Sequence, residues 1–267
     1  MIYDSHCHLD LMDNNNMTSI IQSLEKETLG ILSVGTTPRA YLKEVKMFSA
    51  IKNVHVALGL HPQLIGSGYD DLELFKLLVQ QCHYIGEVGL DFSKKYIINK
   101  NKQIEVFHKI LLYCEKYGNK IISIHSLKAD TTVLKILSQL KRNNNNTYIL
   151  HWFTGSIFQM QIAIDMGCFF SINPKMLKTK SGISLIQKIP PNKILLETDA
   201  PFSVKFQNTK QLGDILQNMI NNISIIKGID MKNQLIKNAK TIYFISMLFA
   251  IHKNLLANMR KIILNIE

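Results

Sequence analysis

Short apolar runs alternate with amphipathic stretches along almost the whole chain. The runs are rich in Ile, Val, Leu and aromatic residues. They predict strands at Ile2–Ser5, Gly30–Val34, Val54–Leu60, Tyr84–Val88, Lys120–Ile124, Thr147–Leu150, Cys168–Ile172 and Lys193–Glu197. Between them, apolar positions recur at helical spacing and predict helices at Thr18–Thr28, Arg39–Ala50, Asp71–Gln81, Asn101–Tyr117, Thr131–Lys141, Ile157–Met166, Gly182–Ile189 and Thr209–Ile226. Strands alternating with helices form parallel βαβ units, and the count favours closure into a (β/α)8 TIM barrel of the α/β class. A last helical stretch, Lys232–Asn258, has no strand after it. It is expected to pack outside the barrel or to cap one end. The chain is read as one domain, residues 1–267, with the barrel over about 1–228 and a C-terminal helical extension over about 229–267. Pro62, Pro201 and the polar stretch Asn143–Asn146 fall where this pattern needs loops.

The length agrees, because 267 residues is close to the roughly 250 that such a barrel uses. No run approaches the roughly 20 apolar residues of a membrane span; the densest, Ile242–Ile251, is much shorter. The first residues lack the basic-then-apolar pattern of a secretory signal. Cys7, Cys82, Cys114 and Cys168 lie far apart and read as reduced packing residues. The expectation is a cytoplasmic protein with no membrane partner. A net charge of +11 favours a polyanionic partner such as nucleic acid. A lysine-rich, AT-biased composition accounts for it equally well.

Potential metal ligands stand singly at the ends of the predicted strands. His6 and His8 are two apart, so they share a strand face. Asp4 is placed on that face too, as an outer partner accepting a ring proton, while Cys7 points towards the helical layer. Glu87 follows Tyr84-Ile85-Gly86, where a carboxylate needs a cation or hydrogen bonds to offset its burial. Its two oxygens can bridge two metals. A structural arginine is the other explanation, and arginines are few (Arg39, Arg142, Arg260). His125 ends Ile121-Ile122-Ser123-Ile124, His151 ends Tyr148-Ile149-Leu150, and Asp199 closes Ile194-Leu195-Leu196-Glu197-Thr198. In a barrel these strand ends converge on one mouth.

Such a mixed set suits Zn, Mn or another first-row divalent ion, with Mg possible on the carboxylate side. Two ions about 3.5–4 Å apart activate water and offset charge on a phosphoryl oxygen. Asp199 is the candidate that holds a metal and also positions the water or takes its proton; Glu87 is the second catalytic candidate. His61 ends the third strand and is a candidate for substrate phosphate or acid, or else a packed structural histidine. Lys128, Lys175, Lys178 and Lys205 follow strands five, seven and eight, as phosphate contacts or as plain solvated lysines. Trp152, with Phe153 beside it, could stack a base or simply pack. His55, His83, His108 and His252 receive no chemistry.

Six segments together resemble the TatD-type metal-dependent deoxyribonucleases. They are Asp4-Ser5-His6-Cys7-His8-Leu9-Asp10, Gly59-Leu60-His61-Pro62, Ile85-Gly86-Glu87-Val88-Gly89-Leu90-Asp91, Ile124-His125-Ser126, His151-Trp152-Phe153-Thr154-Gly155-Ser156 and Leu195-Leu196-Glu197-Thr198-Asp199-Ala200-Pro201-Phe202, in family order over roughly the first 205 residues. The resemblance implies a TIM barrel with a two- or three-metal centre that hydrolyses DNA phosphodiesters. It implies His6, His8 and Asp199 as ligands of one metal, Glu87 as the bridge, and His125 and His151 as ligands of the second. Asp91 is read as an outer partner of these ligands. The chain departs from the pattern at Leu127, where members often carry arginine, at Trp152, where a small residue is usual, and from Gln207 onward. The stretches Gly59–Leu64, His151–Ser156 and Gly167–Asn173 look closer to QatD, the TatD-like component of Qat anti-phage defence systems. That likeness implies partner proteins encoded beside it. Two other readings stay open: a metal-dependent amidohydrolase or small phosphoesterase on the same barrel, and a non-catalytic subunit of a defence complex, against which the intact ligand set counts.

Overall fold

The computed structural model describes residues 1–12, 20, 23–24, 29–48, 51–68, 70–140 and 145–243. Eight strands fall within them: β1 (Ile2–Cys7), β2 (Leu29–Val34), β3 (Val54–Ala57), β4 (Tyr84–Gly89), β5 (Ile121–His125), β6 (Thr147–His151), β7 (Phe169–Ile172) and β8 (Ile194–Leu196). The helices are α1 (Pro38–Phe48), α2 (Leu72–Leu78), α3 (Lys100–Tyr117), α4 (Asp130–Ser138), α5 (Ile157–Asp165), α6 (Lys180–Lys188) and α7 (Thr209–Lys227). Most of the predicted helix at Thr18–Thr28 lies outside the described residues, as does the predicted C-terminal stretch beyond residue 243. No helix among the described residues is long and apolar enough to cross a membrane.

The strands pair in parallel in sequence order, as β1-β2-β3 and β4-β5-β6-β7-β8. Leu58 bridges to Ile85 and joins the two runs, with Leu58 N–H donating to Tyr84 O and Gly86 N–H to Leu58 O, both at 3.0 Å. On the other side, Asp199 N–H donates to His6 O and His8 N–H to Ala200 O, both at 2.8 Å. The sheet thereby closes into the expected (β/α)8 barrel.

Inside, alternate side chains meet. Tyr3, Leu32, Val34, Ala57, Ile121, Ile149 and Leu195 form an inner core, while Val88, Ile122, Ile124, Tyr148 and Leu150 belong to the cluster that the helices cover. Residues 232–243 are helical and floor the barrel where the strands begin. Tyr243 is fully buried and stacks on Tyr3 at 4.1 Å.

Two breaks in strand register prepare the mouth. The β1–β2 pairing shifts between Asp4 and Cys7, and the β4–β5 pairing between Ile85 and Val88. Each break resets the alternation. Tyr3 faces inward at the floor, yet His6 and His8, of opposite parity, reach the central cluster above it. Tyr84 and Glu87 share the inner side in the same way, although they are three residues apart.

Candidate metal centre

Glu87 is the hub of the mouth. It is 2% exposed, and its two oxygens face different histidines. Oε2 lies 3.4 Å from His6 Nε2, 3.1 Å from His8 Nε2 and 3.2 Å from His61 Nε2. Oε1 lies 2.5 Å from His125 Nδ1 and 3.1 Å from His151 Nε2. Asp199 Oδ1 stands 3.8 Å from His6 Nε2 and 3.6 Å from His8 Nε2. All six expected ligands therefore meet, drawn from β1, β4, β5, β6 and the segment after β8. His61, expected at the substrate, joins them, with its Nε2 facing Glu87 Oε2.

The electrostatics follow from five imidazoles and several carboxylates in a buried cluster. Burial opposes a charge on Glu87, yet the rings of His61, His151 and His125 hold its pKa well below the usual carboxylate range. Burial works against a charge on His151 too, but Glu197 and Glu87 hold its pKa well above the ordinary histidine value. His8 and His125 are raised against their burial, chiefly by Glu87. His6 and His61 are lowered, burial being the largest cause. Burial, reinforced by Glu87 and Glu197, pushes Asp199 up to about 7 against the pull of His151.

These residues fit divalent metal. Three groups have their donor atoms within 4.8 Å of one another: His6, His8 and Glu87; His6, His151 and Asp199; His61, Glu87 and His125. His6 Nε2, His8 Nε2 and His8 Nδ1 are buried and lack a hydrogen-bond partner, which is rare for buried polar atoms. Imidazole and carboxylate donors together suit first-row divalent ions.

Around the hub lie residues that the pattern along the chain did not single out. Ser123 Oγ is 2.8 Å from His6 Nδ1. Glu197 Oε2 is 3.4 Å from His151 Nδ1 and accepts a hydrogen bond from Ser171. Ser123 lies two residues before His125, and Glu197 two before Asp199, so strand alternation carried the signal. Asp91 Oδ2 stands 3.3 Å from His125 Nε2 and accepts from Gln63 Nε2 at 2.7 Å, which is the expected outer position. Asp4 corrects its expectation. It takes no ring proton; it accepts from Thr198 N–H at 2.9 Å, from the Thr198 hydroxyl at 2.5 Å and from His6 N–H at 3.2 Å. The register break after Asp4 removes it from the face of His6 and leaves it tying β1 to the segment after β8.

The cluster opens into a cavity of about 310 Å³ lined by Gln63, Ser126, Leu127, Trp152, Thr154 and Phe202 together with ligand residues. Lys128 is not in this lining and is exposed on a turn at φ 56°. Its neighbour Leu127 faces the cavity instead. The Trp152-Phe153 pair splits as well: Trp152 lines the cavity, while Phe153 is 1% exposed and packs edge-on against Phe170.

Eight parallel strands with histidines and carboxylates gathered at their C-terminal mouth define a barrel of the metal-dependent hydrolase type. The chain belongs to the family described as TatD related DNase, whose model matches residues 3–244. An "uncharacterized metal-dependent hydrolase" of Buchnera aphidicola subsp. Baizongia pistaciae is 27% identical over 215 residues, covering 75% of this chain and 78% of that protein. Two crystal structures share the fold. YJJV, a TatD homologue from Escherichia coli K12, superposes with a TM-score of 0.75 at 19% identity, over 90% of this chain and 97% of its own. A TatD family hydrolase from Entamoeba histolytica gives 0.74 at 17% identity, over 91% and 98%.

Proposed function

We propose that this protein is a cytoplasmic metal-dependent nuclease that hydrolyses DNA phosphodiester bonds. The observation that carries the reading is Glu87, whose two oxygens face separate sets of imidazoles within one cavity. In this reading His6, His8 and Asp199 would hold one divalent ion and His125 and His151 a second, with Glu87 available to both through its two oxygens. Bound Zn, Mn or Mg supplies positive charge against the phosphoryl oxygens and acidifies water. Asp199 orients the attacking water and takes its proton. Ser123 and Glu197 fix the rings of His6 and His151 from behind. His61, on the cavity wall, contacts the substrate phosphate. The net charge of +11 draws the polyanion in.

The finer reading is a role in anti-phage defence beside Qat partner proteins, supported by the likeness of Gly59–Leu64, His151–Ser156 and Gly167–Asn173 to QatD. It predicts that Asp199→Ala abolishes protection in a cell carrying the partner genes; unchanged protection would make the protein a non-catalytic subunit. The nuclease reading is tested with purified protein and Mn or Mg on single- and double-stranded DNA, beside a panel of small esters and amides. DNA cleavage that EDTA stops and Asp199→Ala abolishes is the expected result. Turnover confined to the panel would put an amidohydrolase or small phosphoesterase in its place.

A further inference from the structure

We infer that Trp152, Phe202 and Lys175 form a subsite at the lip of the cavity for one unpaired nucleobase and its adjoining phosphate, making the two aromatic residues determinants of specificity. The inference rests on the nuclease reading above and names what the cavity selects. The three residues come from three consecutive loops, after β6, β7 and β8. Phe202 is 58% exposed, lines the cavity and stands edge-on to the His8 ring at 5.2 Å. Trp152 lines the same cavity from a backbone at φ 39°, which an L-residue adopts only when its surroundings hold it there. Trp152 is half-buried, with part of its ring against the core, while the neighbouring Phe153 takes the fully buried place beside Phe170; Phe202 stays exposed.

Lys175 joins the two. Its Nζ lies 5.0 Å from the Trp152 ring centroid and donates to Phe202 O at 3.2 Å. Asn173, fully buried, accepts from Lys175 N–H at 2.9 Å and from Ser203 Oγ at 2.8 Å, which pins the loops after β7 and β8 together. A cation over the Trp152 ring and bonded to the Phe202 carbonyl, beside a cluster suited to metal, matches a base with its phosphate. A paired base buries its faces against its neighbours, so only one outside the helix can lie on these rings. Leu127, apolar and on the same lining, adds no competing polar group.

The test uses the fact that Trp152 is the only tryptophan in the chain. In EDTA, so that no strand is cut, a short oligothymidylate is expected to quench its fluorescence. It should bind on the order of 5- to 150-fold tighter than a strand of equal length carrying tetrahydrofuran abasic sites. The same oligothymidylate annealed to its complement should give no quench. In cleavage assays with Mn, Trp152→Ala and Phe202→Ala should lose kcat/KM on the base-bearing strand by a similar factor, through KM. Trp152→Phe should recover most of it, and the abasic strand should be cut equally by all. Equal binding of both strands by the wild type, or equal loss on both in the variants, overturns the subsite and leaves the nuclease reading standing. A wild type that cuts no strand overturns the nuclease reading, and the fluorescence comparison still decides the subsite.

Discussion

Replacing Glu197 by Gln removes one negative charge and almost no volume from behind His151. Glu197 is fully buried, lies 3.4 Å from His151 Nδ1 and accepts from Ser171, so an amide can keep much of the geometry. The ion pair at that distance corresponds to about 5 kcal/mol at an effective dielectric constant of about 20. Desolvation of two buried groups offsets most of this. Loss of such an outer partner commonly lowers metal affinity or activity by about 10–100-fold, or about 1.4–2.7 kcal/mol. Glu197→Gln is therefore expected to weaken Zn or Mn binding by that factor in a competitive chelator titration, with thermal unfolding checking that the fold survives. In the metal-free protein His151 should also titrate lower, since Glu197 leads the groups that raise its pKa against burial. Metal affinity within twofold of wild type and an unchanged His151 titration would refute the role assigned to Glu197.

The metal-free protein should become less stable as pH rises from about 6.5 to 8.5. In this window Asp4 and Asp199, each raised to about 7, and Glu44, raised to about 8, lose protons in the folded state that they shed near pH 4 when unfolded. His8, His125 and His151, also raised, lose stability in the same direction. The lowered His6, His61 and His55 act only below about pH 6.5, and the lowered Glu87 only below about pH 4.5. Melting curves should show Tm falling across the window and Mn or Zn reversing the fall; a flat or rising profile would contradict the electrostatics. Tyr243→Ala should cost about 3–5 kcal/mol in urea unfolding by opening a cavity under Tyr3, while leaving metal affinity unchanged. Lys128→Ala, exposed and outside the cavity lining, should cleave DNA within twofold of wild type, and a larger loss would return that lysine to the substrate.

What was legible in the chain divides along physical lines. The eight strands were readable because each is a β-rich run, and most of the ligands because an imidazole or carboxylate stopped such a run. The ends were less readable. The run Val54–Leu60 was expected as one strand, but β3 stops at Ala57, where the backbone at Gly59 presses so near Gly35 O that a Cβ there would lie 1.6 Å from it. β1 instead runs on through His6 to Cys7. Asp4 was misplaced because strict alternation was assumed across a register break that only pairing with β2 reveals. Its partner Thr198 lies 194 residues away, as invisible in a local pattern as the Ser123–His6 contact across 117 residues. Leu127 rather than Lys128 lines the cavity, because in a turn no period decides which side chain enters it. Phe202 gives no such signal in the chain, since an aromatic after Pro201 reads as core, and only the fold shows it to be 58% exposed.

The claim on which the rest depends is that Glu87 spans two ion sites. Metal content by elemental mass spectrometry after Mn or Zn loading and desalting tests it most directly. Wild type should retain two ions per chain, and Glu87→Gln, folded by circular dichroism, should retain fewer and cut no DNA. Full metal content and cleavage in Glu87→Gln would contradict the account.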